Sequence, residues 1–251
     1  LQLTLQRIRQ VKSGINIHVE GDTRIAGIDL FSDLKMDIKS GQWTALLGPS
    51  GAGKSTILKL IAGIDQIASF QGSITCDNGK SLAGRVSYMA QDDLLLPWAT
   101  VRQNINLGKR LRAEPEDWAK SEHIITAVGL SDHVDKYPSM LSGGERQRVA
   151  LARTLIEDRP VVLLDEPFSA LDVRTRADMQ ELAARHFQDR TVLLVTHDPY
   201  EAVRLCGSIY CLQGQKLQQS GHLKPPFPKM LDDKDLFALQ AELLAQIRAG
   251  A

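Results

Sequence analysis

The sequence predicts an α/β fold, a mainly parallel sheet core interrupted by a helical insertion. Three observations carry that prediction. Residues 161–164 (VVLL) and 191–196 (TVLLVT) are short apolar runs, the pattern of strands buried on both faces. Helical stretches over residues 173–188 and Pro199–Leu205 alternate with them. Finally, the strand Trp43–Leu47 runs straight into a glycine-rich loop and then a helix.

In chain order, residues 1–11 and 15–19 alternate polar and apolar side chains, as half-buried strands do, and residues 34–38 repeat the pattern before a Ser40-Gly41 turn. Lys54–Ala62 reads as a helix with apolar Ile57, Leu58, Leu60 and Ile61, stopped by Gly63. Residues 86–90 form a further strand. From about residue 92 to 158 helical patterns dominate, among them 118–128 and Gly143–Glu157. Near the end, residues 232–247 place Leu236, Leu239, Leu243, Leu244 and Ile247 on one helical face, which is expected to pack on its own domain. The expected division is a core of residues 1–91 and 159–231, a helical subdomain of 92–158, and a short helix in 232–251.

Composition narrows the function. The 251 residues carry 30 basic and 30 acidic side chains, so the basic excess typical of a nucleic-acid binder is missing. Cys76, Cys206 and Cys211 are too few and too irregularly spaced for a disulfide framework or a zinc site, and read as small apolar residues in a reducing compartment. No segment reaches the 18 apolar residues of a membrane helix, and the opening LQLTLQRIRQV lacks a signal-peptide core. A membrane role would therefore go through a partner.

Gly48, Pro49, Ser50, Gly51, Ala52, Gly53, Lys54, Ser55 and Thr56 match the phosphate-binding pattern of glycine, four residues, glycine, lysine and serine or threonine. Glycines let backbone N–H groups curl around phosphate oxygens, and the helix beginning near Lys54 aims its positive end at them. Lys54 is expected to reach the β and γ phosphates of ATP or GTP, and Ser55 to bind Mg²⁺. Asp165 and Glu166 follow a buried strand, a costly place for two carboxylates unless a cation waits there. Asp165 suits Mg²⁺, and Glu166 suits a general base acting on water. His197 and Gln91 end two other strands, and parallel strands deliver such ends to the ligand edge. They suggest a γ-phosphate sensor and a metal or water ligand. Ser142, Gly143, Gly144 and Glu145 open a helix with a natural N-cap and two glycines that bare N–H groups, a second anion cradle.

Together, GPSGAGKST, Gln91, LSGGERQ, LLDEP, SALD and His197 resemble the motif set of ABC ATPases, in the same order, from about residue 34 to 217. The resemblance implies the ABC ATPase fold: a P-loop NTPase core with a mixed, largely parallel sheet, N-terminal antiparallel strands and an inserted helical subdomain. It further implies a homodimer that traps two ATP molecules, each held by the P-loop of one chain and by Ser142, Gly143, Gly144 and Glu145 of the other. Glu166 would then be the catalytic base, His197 the γ-phosphate switch, and Asp172 a link between the two sites. The implied partners are membrane-spanning permease subunits and an external solute-binding protein, with no nucleic acid, at the cytoplasmic face of the cell membrane.

The segment from Gln91 through Leu95-Leu96-Pro97-Trp98 to Asn104 is similar to importer ATPases for nitrate, sulfonates, taurine and pyrimidine precursors of thiamine. The flow Gly41-Gln-Trp-Thr, with Asp198-Pro-Tyr-Glu-Ala after His197, tilts the resemblance towards the pyrimidine branch. Exporter ATPases share the catalytic motifs. A soluble ABC-type ATPase acting on nucleic acid fits less well, because there is one P-loop, no sustained heptad pattern and no basic excess. A module that binds ATP without hydrolysing it would lack a catalytic group, and Glu166 and His197 are present. The family stacks adenine on an aromatic residue ahead of the P-loop. At the commonest spacing this chain has Ile25, and a small insertion within residues 21–27 would bring His18 there instead.

Overall fold

The computed structural model describes residues 14–64, 68–229 and 234–249. The strand expected over residues 1–11 lies outside them, as does the start of the expected C-terminal helix. Contacts divide the chain into two compact units. One holds Leu1–Val86, Arg159–Leu163 and Gln188–Ala251, and the other Ser87–Asp158 and Leu164–Phe187.

The first unit opens with β1 (Ile17–Ile25) and β2 (Ile28–Ile38), joined through Ala26 and Gly27, both at positive φ (50° and 81°). That backbone twist suits a two-residue hairpin. With β4 (Ala68–Cys76) they form an antiparallel sheet in the order β2-β1-β4, with Ile17 opposite both Ile38 and Cys76. Alternation makes one face of β1 apolar: Ile17 and Val19 are buried while His18 and Glu20 are exposed.

A second sheet has six strands in the order β5-β6-β7-β3-β8-β9. Its strands are β3 (Trp43–Leu47), β5 (Val86–Met89), β6 (Val161–Asp165), β7 (Thr191–Val195), β8 (Ser208–Gln213) and β9 (Lys216–His222). β3 runs parallel to β7 and β8, whereas β9 returns antiparallel to β8. Every residue of β3 and β7 is buried, which is why their sequences are dominated by apolar residues, with buried Thr44 and Thr191, rather than alternating.

α1 (Lys54–Ala62) follows β3, with Gly63 as its C-cap. α7 (Pro199–Leu205) follows β7, capped by Asp198 with Pro199 in its first turn. α8 (Lys234–Ala249) packs on α7 and β8 through buried Leu236 and Leu243, while Leu244 is 39% exposed. The apolar face read from the sequence is therefore only partly covered.

The second unit contains α2 (Val101–Ile105), α3 (Leu107–Leu111), α4 (Trp118–Ala127), α5 (Gly143–Glu157) and α6 (Val173–His186). α5 packs against α2, α3 and α4 with Val149, Leu151, Leu155 and Ile156 buried. Each such side chain contributes on the order of 2 kcal/mol of apolar burial, which holds α5 against these three helices. The N-cap side chains of Thr100, Asp117, Ser142 and Asp172 fix where α2, α4, α5 and α6 begin. Cys206 and Cys211 are buried, as their apolar reading expects, whereas Cys76 is half-buried; all three are free thiols.

Candidate functional site

In the first unit the phosphate loop is shaped by packing as much as by glycine's freedom. Gly53, the N-cap of α1, sits at φ 91°. A Cβ there would lie 2.7 Å from Phe31 Cζ and 2.8 Å from Leu30 Cδ2, so both backbone and space demand glycine. Lys54 is only 5% exposed, and its Nζ donates to the Gly48 carbonyl (2.9 Å) and the Pro49 carbonyl (2.7 Å). The ammonium is thereby folded back over the loop at the positive end of α1, an environment made for anions.

His197 emerges beside this loop. β3 and β7 are paired so that Leu46 faces Val195, and the Thr196 amide donates to the Leu46 carbonyl at 3.3 Å. Gly48 and His197 each follow two residues later from the same edge. The turn carrying His197 is pinned by the Thr196 hydroxyl, which donates to buried Glu201 (2.7 Å) and accepts from the Asp198 amide (3.1 Å). His197 itself is exposed.

In the second unit Asp165 ends β6 and is 2% exposed. Its neighbour is half-buried Tyr88 of β5. Burial first, then the Asp165 charge and a hydrogen bond to it, push the Tyr88 hydroxyl well above its ordinary pKa, so the phenol stays protonated and donates to the carboxylate. Glu166 follows with φ 48°, a left-handed backbone that costs a glutamate on the order of 1–2 kcal/mol. Three hydrogen bonds from Gln147 of α5 surround that loop. Its Nε2 donates to the Glu166 carbonyl (3.0 Å) and to Ser169 Oγ (3.2 Å), and its Oε1 accepts from the Ala170 amide (2.8 Å).

Gln91 lies exposed just beyond β5. The loop after it is gripped by two arginines of α5. Arg146 Nε meets Asp93 Oδ2 at 2.9 Å, and Arg153 donates to the carbonyls of Asp93 (2.6 Å) and Leu94 (2.9 Å).

The head of α5 is a complete capping box. Ser142 Oγ accepts from the Glu145 amide (3.2 Å), and Glu145 Oε2 accepts from the Ser142 amide (2.7 Å). The box consumes the first and fourth amides of this turn and leaves those of Gly143 and Gly144 as donors without an intrahelical partner. Gly144 is held close to the following loop, where a Cβ would stand 3.2 Å from the Ala170 carbonyl. Asp172 caps α6, its Oδ1 accepting from the amides of Arg174 and Thr175 at 3.1 Å each. The Thr175 hydroxyl foremost, then its amide, holds the Asp172 carboxyl below its usual range.

The family model described as ABC transporter matches residues 31–169, more than half of the chain. The chain belongs to the ABC transporter family. It is 38% identical over 254 aligned residues to an aliphatic sulfonates import ATP-binding protein of Rhodopseudomonas palustris, covering 100% of this chain and 85% of that protein. An aliphatic sulfonates import ATP-binding protein of Rhodococcus jostii is 39% identical, covering 88% of this chain and 94% of its own length. An uncharacterized ABC transporter ATP-binding protein of Haemophilus influenzae is likewise 39% identical, covering 88% and 93%. A solved ATP-binding subunit of an ABC transporter shares the fold, with a TM-score of 0.74 at 23% identity over 93% of this chain and 99% of that one.

As an ABC-type ATPase, this chain holds several site residues that its sequence did not disclose. Tyr88, Gln147, Arg146, Arg153 and the Thr196–Glu201 pair all act on motif residues through the fold. Arg146 and Gln147 carried a signal in their place inside LSGGERQ, as did Glu201 inside Asp198-Pro-Tyr-Glu-Ala, and neither motif said anything of their targets. Of the two candidates for the adenine contact, Ile25 sits at the hairpin end opposite Ile28. His18 lies seven residues earlier on the same strand, about 23 Å along an extended chain. Its Nδ1 is 2.5 Å from Asp37 Oδ1, so the register leaves His18 far from the hairpin tip.

Replacing Gln147 by Leu removes the clamp while keeping the side chain's bulk. Turnover is expected to fall about 10-fold at nearly unchanged ATP affinity, and Tm by about 4–8 °C, from roughly 2 kcal/mol of lost hydrogen bonding. Steady-state hydrolysis and thermal unfolding measure the two together. A lowered Tm with full turnover would reduce the clamp to a stabilising element.

Proposed function

We propose that this ABC ATPase energises the import of small organic solutes of the sulfonate type, working as a homodimer beneath membrane-spanning permease subunits. The observation that carries this reading is the 38% identity, along the whole chain, to a protein named for aliphatic sulfonates import. An external solute-binding protein would complete the assembly, with the ATPase peripheral at the cytoplasmic face. Among the described residues no helix is long and apolar enough to cross a membrane, which fits a role through partners. A pyrimidine thiamine precursor is the second reading, resting on Gly41-Gln-Trp-Thr and Asp198-Pro-Tyr-Glu-Ala.

The roles follow from chemistry. Residues Gly48 to Thr56 wrap the phosphates of ATP, and Lys54 swings from its two carbonyls to the β and γ phosphates, a stronger charge-assisted partner. Glu166 accepts a proton from the attacking water, and His197 donates to the γ-phosphate. Ser142, Gly143 and Gly144 offer their donors to the γ-phosphate held by the second copy, with Glu145 completing that turn, and Asp172 links the two sites. Ser55, Gln91 and Asp165 each offer an oxygen of the hard type that Mg²⁺ prefers, and a carboxylate as buried as Asp165 fits a cation. Mg²⁺ would neutralise charge on the β and γ phosphates. Asp165 is aimed by the Tyr88 hydroxyl.

The test is genetic and biochemical together. In cells deprived of their own sulfonate importer ATPase, this chain with its neighbouring permease restores growth on an alkanesulfonate as sole sulfur source, and the Lys54→Ala form does not. The same substitution is expected to weaken ATP binding by about 30-fold or more, about 2 kcal/mol of charge-assisted contact. Restored growth on a pyrimidine precursor alone would favour the second reading. Restoration by the Lys54→Ala form would defeat both.

A further inference from the structure

Glu145 faces two ways. Its Oε2 holds the Ser142 amide, while its Oε1 lies 3.1 Å from His133 Nε2, on the 3₁₀ turn Ser131–His133 that precedes the signature. Both side chains are only 23% exposed. His133 Nδ1 is buried and has no hydrogen-bond partner among the described residues. Nδ1 is the ring nitrogen turned into the interior, so Nε2 is the one presented to the carboxylate. The two side chains thus meet in a polar contact through Nε2 and Oε1.

The turn bearing His133 is itself anchored to α5. Arg148 Nη1 donates to the carbonyls of Val128 (2.7 Å) and Gly129 (3.0 Å), one helical turn along from Glu145. The segment is therefore a fixed bracket rather than a loose neighbour.

We propose that His133 is a positioning residue for the signature turn. By occupying Oε1 it fixes the Glu145 rotamer, which keeps Oε2 on the Ser142 amide and holds the turn so that the Gly143 and Gly144 amides form a preset anion cradle. Glu145 itself never touches phosphate; both of its oxygens are engaged within its own chain. Without the bracket the carboxylate swings free, and the cradle must be ordered at each encounter with ATP. This inference rests on the reading that the signature receives the ATP held by a second copy.

The experiment uses the full chain carrying Glu166→Gln, so that an ATP-held dimer can be titrated. His133→Phe keeps the ring and its packing but removes the donor, and His133→Gln restores a donor without the ring. The ATP concentration giving half-maximal dimer is expected to rise about 5- to 10-fold for His133→Phe and to return within about twofold for His133→Gln. Binding of a fluorescent ATP analogue to the dilute monomer is expected to stay unchanged in both, which a general loss of structure would not allow. Equal midpoints for all three proteins overturn the inference, as does an equal rise in the Phe and Gln forms. Ser142→Arg in the same background separates the two failures. If it blocks dimerisation while His133→Phe does nothing, only the bracket is wrong; if it leaves the dimer intact, the reading of the signature falls and the bracket with it.

Discussion

Glu166→Gln is expected to retain ATP binding, to cut hydrolysis by at least about 100-fold, and to let an ATP-held dimer accumulate. Gln keeps the shape of the side chain, and the backbone clamp from Gln147 acts on the carbonyl of residue 166, not on its side chain. The substitution therefore removes a proton acceptor while leaving that backbone clamp in place. The phosphate loop and Lys54, which are expected to supply binding, belong to a separate stretch of chain. Phosphate release and sedimentation with and without Mg-ATP read the two halves of this expectation. Turnover near that of the unmodified chain would strip Glu166 of the role of base. Full loss of hydrolysis without any dimer would mean that permease subunits are required to bring two copies together.

Ser142→Arg is expected to abolish ATP-dependent dimerisation while leaving nucleotide binding by the monomer intact. Three effects converge. The capping hydroxyl disappears from the Glu145 amide, a loss of about 1 kcal/mol that lowers Tm by a few degrees without unfolding the chain. The hydroxyl donor of the cradle is lost. A long side chain then stands over the Gly143 and Gly144 amides, excluding the triphosphate that those amides were to receive. Sedimentation with Mg-ATP decides the matter, with the Glu166→Gln background used to hold the dimer. An unchanged dimer would place the contact elsewhere.

The elements legible in the sequence are those whose ends are written locally. α1, α5 and α7 run over the expected residues because Gly63, the Ser142–Glu145 box and the Asp198-Pro199 pair mark their termini. β3 shows itself by continuous burial. β4 was missed because its sequence, ASFQGSITC, has no fully buried residue and so no pattern to read. β9 was missed for a similar reason, being a polar edge strand that takes its place from pairing with β8. β2 is longer than residues 34–38, since Asp33 at φ 52° breaks its alternation midway. In the site, the motif residues stand out as candidates because the chemistry proposed for them is carried by type and spacing. Tyr88 on Asp165, Gln147 on the 166–170 loop and His133 on Glu145 were not, because each is a pairing between distant stretches that composition and period do not encode.

The left-handed backbone at Glu166 has an evolutionary consequence. Most residues in a fold are selected in one direction, since the side chain that works is also one the backbone tolerates. At residue 166 the backbone would be more relaxed with glycine or asparagine, so the proposed chemistry and the backbone ask for different residues. A copy released from selection for turnover therefore meets no backbone penalty in exchanging this glutamate for either of them. Silent, nucleotide-binding descendants of such a chain are thermodynamically easy to reach, and a working one persists only while transport is being demanded of it.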